Sequence, residues 1–211
     1  LGGGLVHGGA VLLVGPRKLG KTTLAIQAAA GVAMRACVLY ASGEQSVADV
    51  GQIVHRLGVR NDRVELLGNC GDVRAIVRRA NEIKPTLIVI DSLQTAHLDG
   101  VTASEGSAEQ VRAVVNHLTS FGKRSGTASI LIGHVRKDGA TAGPMTIEHL
   151  VDSIVEYFAV LDERGEETNL RELTCSANRN ASGPGTFRAT VEMTTEGIRP
   201  APPRSDILEV A

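Results

Sequence analysis

Residues 15–22 have the types and spacing of a phosphate-binding loop. They read Gly-Pro-Arg-Lys-Leu-Gly-Lys-Thr, which fits the pattern G-x-x-x-x-G-K-[ST]. Gly15 and Gly20 let the backbone turn tightly, so that successive N–H groups and a helix N-terminus converge on one phosphate. Lys21 then supplies a positive charge to the outer phosphates, and the hydroxyl of Thr22 is placed to ligate magnesium. The pattern predicts that this loop binds ATP together with Mg²⁺.

The four residues between the two glycines are larger than the small residues that would leave the loop open. Because the main chain does the cradling, their side chains can point outward, and Arg17 and Lys18 add positive potential near the phosphates without blocking them. The alternative is a glycine-rich turn that matches by chance. We expect the nucleotide to be bound by nine residues, namely Gly15, Pro16, Arg17, Lys18, Leu19, Gly20, Lys21, Thr22 and Thr23.

The loop has the flanks that such a site requires. Residues 10–14 are a short apolar run bounded by glycines, which indicates a strand buried on both faces of a parallel sheet. Residues 22–34 are rich in Ala, Leu, Ile and Gln and contain no proline, which favours a helix. A strand before the loop and a helix after it make the chance match the weaker interpretation.

Two acids follow predicted strands at the same edge of the expected sheet. Asp91 ends the apolar run of residues 86–91, where a nucleotide-hydrolysing protein needs an acid to hold magnesium. Glu44 follows the second strand, and a carboxylate there can orient and deprotonate an attacking water. Ligands of an open parallel sheet bind beyond the carboxyl ends of its strands, so both acids should lie beside the phosphates. The plainer interpretations are a turn residue for Asp91, and a cap of the next helix by Glu44 or Ser42.

A histidine occupies a similar place on a third strand. His134 ends the segment Ile-Leu-Ile-Gly-His, on the same predicted edge, and could sense the terminal phosphate by a hydrogen bond. A lone histidine is more often structural, so the residues alone leave both interpretations open.

Composition limits the class of protein. The 211 residues are enough for one domain with a full core, and 43% of them are hydrophobic and 21% charged. The 2% of aromatic residues, with no Trp, argues against a nucleic-acid site built on stacking. A formal net charge of −1 gives no general attraction to nucleic acid or to a membrane, so we expect no membrane partner. The three cysteines form no C-x-x-C pair and indicate reduced thiols in the cytoplasm.

Strand and helix signals alternate along most of the chain. Besides the strands already named, strands are predicted at residues 36–41, 64–67, 127–133, 154–161, 168–176 and 186–194. Further helices are predicted at residues 45–57, 72–84, 107–123 and 147–151. This order predicts an α/β fold with a mostly parallel twisted sheet flanked by helices and an antiparallel meander at its C-terminal edge. We expect one core over residues 1–199 and a Pro-rich tail or linker over residues 200–211.

As a set, these motifs resemble the ATPase core of the bacterial RadA (Sms) family. The segments LYASGEQS, LIVIDSLQT, GSAEQVR, ILIGHVRKDG and EHLVDSIVEYF match that core in order, together with the phosphate-binding loop, over residues 1–197. Proteins of this family are RecA-like motors of recombination and DNA repair that form hexameric rings around DNA, with nucleotide at the subunit interface. The resemblance implies a RecA-like P-loop fold, a DNA-dependent ATPase, a homo-oligomer, and single-stranded or branched DNA as partner.

The resemblance also implies roles for residues of the site. Nucleotide and magnesium are bound by Lys21 and Thr22, with Asp91 as the second acid. Glu44 becomes the catalytic base, and His134 stands at the sensor position.

The DNA-facing loops of RecA-like proteins correspond to two segments of this chain. They are the irregular stretch 96–106, which we expect to be mobile, and the stretch 137–145. Arg136 and Lys137 lie beside the second of these and are the DNA-binding candidates.

One motif of the family is altered here. The family carries Lys-Asn-Arg-Phe-Gly, whereas residues 177–181 read Ala-Asn-Arg-Asn-Ala, so only the Asn-Arg pair with Arg179 survives. RecA-like rings use cations from this region to reach a neighbour's phosphates, and such a finger contributes about three to five powers of ten in rate.

This departure keeps two alternatives open. One is an ATP-binding assembly switch with weak hydrolysis. The other is a KaiC-like regulatory ATPase that acts on protein partners, against which the GHVRKDG and EHLVDS segments argue.

Overall fold

One nine-stranded sheet organises the part of the chain that the computed structural model describes, residues 4–59, 62–135, 147–179 and 187–201. The strands are β1 Ala10–Gly15, β2 Val38–Ser42, β3 Val64–Leu67, β4 Leu87–Asp91, β5 Ala128–His134, β6 Ser153–Leu161, β7 Glu167–Asn178, β8 Phe187–Thr194 and β9 Gly197–Pro200. The helices are α1 Lys21–Ala33, α2 Val47–Arg56, α3 Val73–Ile83 and α4 Ala108–Ser125, with a 3₁₀ turn at Glu148–Leu150. Their order across the sheet is β3-β2-β4-β5-β1-β6-β7-β8-β9.

The first six strands in this order, from β3 to β6, run parallel. β1 lies between β5 and β6, and Leu12 is opposite Leu131 on one side and Ile154 on the other. Its side chains alternate between two cores, so that Leu12 packs on one face of the sheet and Leu13 on the other. Helices cover both faces of these strands, which explains why β1 and β4 are unbroken apolar runs. The predicted mostly parallel sheet is confirmed.

The four helices divide between the two faces. Ile26 of α1 and Val50 of α2 belong to one core, while Ile76 of α3 and Val114 of α4 belong to the other. The predicted cap of α3 is present, because Asp72 Oδ1 accepts a 2.8 Å hydrogen bond from the backbone of Arg74. None of the described helices has the length and apolarity that a membrane-spanning helix requires.

The C-terminal strands β6 to β9 form the antiparallel meander, and its last strand is absent from the sequence prediction. Pro200, assigned above to the tail, pairs with Val191 of β8 as the end of β9. The short β9 is absent from the prediction because part of its support comes from a residue far away in the sequence. Gln27 of α1 makes two hydrogen bonds, of 2.8 and 3.0 Å, with the backbone of Ile198. Residues 202–211 of the predicted tail lie outside the described residues.

Residues 96–106 are irregular, as predicted, but they are tied to their surroundings. His97 donates a 2.8 Å backbone hydrogen bond to Gly71 and accepts one of 3.0 Å from Val73. Gln110 of α4 accepts a 3.2 Å hydrogen bond from the backbone of Leu98. The segment is thus attached to the starts of α3 and α4.

Gly15, the first residue of the phosphate-binding loop, allows β1 and β6 to approach each other closely. A Cβ atom there would lie 2.1 Å from the carbonyl oxygen of Tyr157. We expect Gly15→Ala to lower the free energy of unfolding by about 1–3 kcal/mol, since the backbone of β6 must move. Urea unfolding followed by circular dichroism measures this.

The matched control for that prediction is a glycine in open space. Nothing lies within 4 Å of a Cβ atom built on Gly31 of α1, so Gly31→Ala should raise the free energy of unfolding by about 0.5–1 kcal/mol. Equal effects of the two substitutions would contradict the proposed close approach at Gly15.

Candidate nucleotide-binding site

The phosphate-binding loop connects the end of β1 to the start of α1, as predicted. Gly20 is the N-cap residue of α1 and has φ 96°, and Lys18 has φ 67°. Both values lie in the left-handed region, which glycine adopts freely and lysine only at a cost of about 1–2 kcal/mol. The turn therefore brings the N-terminus of a thirteen-residue helix to the edge of the sheet, where its N–H groups can bind an anion.

The ammonium group of Lys21 is held inside this turn. Lys21 is 4% exposed, and its Nζ donates hydrogen bonds of 2.7 Å to the carbonyl oxygens of Gly15 and Pro16. Burial lowers the pKa of Lys21 to about 8, against the opposing charge of Asp91. Phosphate oxygens would offer this charge better partners than neutral carbonyl groups.

Asp91 is the centre of a small group of oxygen atoms. Its Oδ2 atom accepts a 2.7 Å hydrogen bond from the hydroxyl of Thr22 and one of 2.8 Å from the hydroxyl of Tyr40. Burial and the neighbouring Asp91 carboxylate raise the pKa of Tyr40 well above its usual range, so Tyr40 remains a proton donor. A hydroxyl and a carboxylate side by side are hard oxygen ligands, and Thr22 and Asp91 therefore fit a magnesium ion.

Glu44 lies in a second group at the same edge. Its Oε1 atom accepts a 2.7 Å hydrogen bond from Ser92, and it lies 3.4 Å from His134 Nε2 and 3.7 Å from the guanidinium of Arg17. Burial acts to raise the pKa of Glu44, but the Ser92 hydrogen bond and the neighbouring His134 and Arg17 side chains outweigh it and lower the pKa. Glu44 is thus an ionised carboxylate at neutral pH.

The structure also decides how α2 is capped. Ser46 is the N-cap residue: its hydroxyl accepts a hydrogen bond from the backbone N–H group of Asp49, and the Asp49 carboxylate accepts one from the backbone N–H group of Ser46. The hydroxyl of Ser42 accepts from the backbone of Gln45 and stabilises the preceding turn. Neither Ser42 nor Glu44 caps the helix, so the carboxylate of Glu44 is available for other chemistry.

His134 is placed by its backbone as well as by its strand. Gln94 donates to the carbonyl oxygen of His134 at 3.3 Å and accepts from its N–H group at 3.2 Å. Burial, followed by the charge of Lys21, lowers the pKa of His134, which keeps the imidazole neutral at neutral pH. Gln94 thereby links the segment after β4 to the end of β5.

The structure brings most of the predicted site together and adds residues that the sequence reasoning missed. Lys21, Thr22, Asp91, Glu44 and His134 converge on one edge of the sheet. The missed residues are Tyr40, Ser92 and Gln94. They stand within the LYASGEQS and LIVIDSLQT segments, which was the available signal, but only the fold shows which side chains they contact.

Arg179 does not join this group. It directly follows β7, is exposed, and donates from its guanidinium to the carbonyl oxygen of His149. Asn178, the preceding residue, pairs with Ser153, which itself pairs with Val11 near the start of β1. Arg179 therefore lies at the edge of the sheet opposite the phosphate-binding loop.

The two DNA-binding candidates, Arg136 and Lys137, lie outside the described residues. The described chain stops at Val135, immediately after His134, and resumes at Ile147. Their role stays a prediction.

Comparison with known proteins assigns the chain to a family. The family model "AAA domain" matches residues 1–140. The DNA repair protein RadA of Haemophilus influenzae and that of Escherichia coli are each 37% identical to the chain over 199 residues, which is 94% of this chain and 42% of theirs. The chain belongs to the AAA domain family and has the RecA-like core of the RadA proteins. It spans about two fifths of the length of these relatives.

A further RadA protein and one solved structure are also similar to the chain. RadA of Bacillus subtilis is 35% identical over 204 residues, which is 95% of this chain and 43% of that protein. Among solved structures, the KaiC-like protein PH0186 of Pyrococcus horikoshii superimposes with a TM-score of 0.74 over 95% of this chain and 92% of that chain. At 19% identity, this likeness shows the fold alone, and the predicted RecA-like class is confirmed.

Lys21 gives a prediction that separates binding from stability. Its pKa falls from 10.5 to about 8 in the folded chain, so folding disfavours the charged form, and the full penalty applies below pH 8. We expect Lys21→Met to abolish ATP binding and yet raise the free energy of unfolding at pH 7 by about 1–3 kcal/mol. Calorimetric titration with ATP and urea unfolding at pH 7 and pH 10.5 test both parts.

The stability gain should shrink at pH 10.5, where the lysine of the folded chain is neutral. A variant that is less stable than the wild type at pH 7 would show that the two carbonyl contacts of Lys21 outweigh its desolvation.

Proposed function

We propose that this chain is an ATP-binding, DNA-dependent ATPase of recombination and DNA repair. The observation that carries the proposal is the pair of oxygen groups at one sheet edge: Thr22 with Asp91 beside the loop, and the ionised Glu44 with Ser92. Nucleotide hydrolysis needs a metal site, a lysine charge for the phosphates and a separate carboxylate, and this end of the sheet offers residues for all three. The printed names of the relatives, DNA repair proteins RadA, support the biological setting.

In this proposal each residue acts on a different part of the triphosphate. Lys21 exchanges its hydrogen bonds to the loop carbonyl groups for contacts with the outer phosphates and neutralises their charge. The N–H groups of the loop hold the triphosphate in place. Bound magnesium would neutralise charge on the phosphate oxygens and would be held by Thr22 and Asp91. Tyr40 keeps the carboxylate of Asp91 oriented by its hydrogen bond.

Glu44 is the general base of the proposed reaction. Its lowered pKa keeps it ionised, so it can accept the proton of an attacking water. Ser92 fixes the carboxylate at 2.7 Å, and the neutral His134 is 3.4 Å away, where its imidazole can respond to the terminal phosphate. Arg136 and Lys137, the proposed DNA contacts, follow His134 by two and three residues in the sequence, so a response of His134 would be close to them along the chain.

The proposal includes assembly into a hexameric ring. It is based on the distance between Arg179 and the phosphate-binding loop of its own chain. Arg171, which contacts Leu19 of the loop, is eight residue steps along the chain from Arg179, which directly follows β7. At about 3.3 Å per residue this is about 26 Å, too far for Arg179 to reach the phosphates of its own chain. A neighbour in a head-to-tail ring could offer its phosphates to this edge, where a guanidinium suits their oxygens.

A second candidate is an ATP-binding assembly switch with weak hydrolysis. The altered stretch of residues 177–181 favours it, because the lysine of the family motif is alanine here. One cation instead of two at the neighbour's phosphate would allow ATP to stabilise the ring while turnover stays slow.

The proposal includes a cytoplasmic location. Cys37, Cys70 and Cys175 are free thiols, which suits a reducing compartment.

ATP turnover measured with and without single-stranded DNA tests the proposed function. We expect the wild type to hydrolyse ATP faster with DNA, and Glu44→Gln to bind ATP with unchanged affinity while turnover falls by about two to four powers of ten. ATP binding without turnover in the wild type would favour the assembly switch. Loss of ATP binding in Glu44→Gln would make Glu44 structural and move the base elsewhere.

Arg179 provides the test of assembly. We expect Arg179→Ala to keep stability and ATP binding but to lose turnover at concentrations that favour assembly, because the missing group acts on a neighbour. Mixing it with Lys21→Met protein creates some interfaces with an intact loop and an intact arginine, so partial recovery of activity is expected. Co-assembled mixtures that stay inactive would refute action on a neighbour.

A further inference from the structure

Arg171 of β7 is a buried charge that the proposed reaction does not use. Three charged residues are buried in the described part of the chain: Lys21, Asp91 and Arg171, the last at 9% exposure. The first two belong to the nucleotide site. Arg171 has no carboxylate within 4 Å among the described residues, and its guanidinium donates to carbonyl oxygens of Leu19, Thr168 and Leu170. A buried cation without an acid is costly, so its location needs a reason.

One of these three carbonyl groups belongs to the phosphate-binding loop. Arg171 Nε lies 3.4 Å from the carbonyl oxygen of Leu19, a long charge-assisted hydrogen bond that spans 152 residues of sequence. Leu19 is itself 3% exposed and packs in the core on the α1 side of the sheet. The contact therefore attaches the middle of the loop to the C-terminal meander.

The planar peptide bond relates the contact at the Leu19 carbonyl group to the orientation of the N–H group of Gly20. The carbonyl group of Leu19 and the N–H group of Gly20 belong to one planar trans peptide and point in opposite directions. When Arg171 holds the carbonyl oxygen on the meander side, the N–H group of Gly20 must point to the other side. In a phosphate-binding loop, N–H groups turned away from the packed side of the loop are the ones that converge on the phosphate.

The same meander supports Gly20 by packing. A Cβ atom on Gly20 would lie 2.6 Å from Cε and 3.0 Å from Sδ of Met193, and the hydroxyl of Tyr157 lies 3.5 Å from that sulfur. Arg171, Tyr157 and Met193 thus approach the loop from three neighbouring strands, β7, β6 and β8. Met193 thus fills the space beside the Gly20 Cα atom on the meander side.

We propose that Arg171 is a positioning residue for nucleotide: by holding the Leu19 carbonyl group it directs the Gly20 N–H group at the phosphates. This role rests on the proposed function, because it needs a nucleotide in the loop. It concerns the diphosphate part that ATP and ADP share. The carboxylate of Glu44 is untouched, so binding should suffer more than the chemical step.

The test compares Arg171→Met and Arg171→Gln with a structural control on the same strand. Both substitutions remove the reach to Leu19, and an apolar residue in place of an unpaired buried charge is commonly tolerated. We expect the Kd of ADP, measured by calorimetry, to rise about tenfold, the effect of one charge-assisted hydrogen bond. The KM for ATP should rise similarly, while kcat at saturating ATP changes less than about threefold.

Leu173→Ala is the control, since Leu173 lies two residues along β7 and lines an apolar cavity of about 210 Å³ on the α1 side. It should lower the thermal midpoint and leave the Kd of ADP unchanged. A folded Arg171→Met or Arg171→Gln protein with the ADP affinity of the wild type would overturn the positioning role. So would an equal loss of ADP affinity in Leu173→Ala.

The outcomes separate this proposal from the proposed function. If the wild type binds ADP and Lys21→Met does not, while the Arg171 variants bind like the wild type, only the role of Arg171 fails. If the wild type binds neither ADP nor ATP, both proposals fail.

Discussion

The burial of charge at one edge of the sheet is the constraint on which the rest of the structure depends. Lys21 and Asp91 are 4% and 5% exposed, and each ion taken out of water costs several kcal/mol unless polar groups replace the water. Two loop carbonyls serve Lys21, and the hydroxyls of Thr22 and Tyr40 serve Asp91. These groups belong to β1, α1, β2 and β4 or to the loop after β1. The carboxyl ends of the three strands and the start of α1 must therefore lie at the same place. A parallel sheet with β1 in its middle is the arrangement that brings them there.

The amino-acid sequence was sufficient to predict those parts of the site that depend on neighbouring residues. An apolar run, a glycine turn and a helix identify the loop, and an acid at a strand end identifies Asp91, because each depends on neighbouring residues only. The missing parts depend on distant ones. Tyr40 is 51 residues from Asp91, and Arg171 is 152 residues from Leu19. β9 escaped for the same reason, since its partner Gln27 is 171 residues away.

The direction of the strands also determines how copies of this core could meet. The phosphate-binding loop follows the carboxyl end of β1, whereas Arg179 stands beside the amino end of β6. Two such chains related by a two-fold axis would use the same surface on both partners. If Arg179 acts on a neighbour as proposed, a head-to-tail arrangement would offer the loop of one chain to the arginine edge of the next. A pairing of this kind repeats, and it ends in a closed ring or continues as a filament.

The two tyrosines of the chain are intrinsic fluorophores that lie close to the candidate nucleotide site. The chain contains no tryptophan and only Tyr40 and Tyr157, and both lie against the nucleotide site: one donates to Asp91, and the other contacts Met193 behind Gly20. Their ultraviolet emission is therefore free of signal from remote regions. A phenol that is hydrogen-bonded to a carboxylate loses fluorescence to that contact, so a cation competing for Asp91 would brighten it. A change in tyrosine emission on addition of nucleotide or Mg²⁺ would thus report on this end of the sheet without a label or an engineered residue.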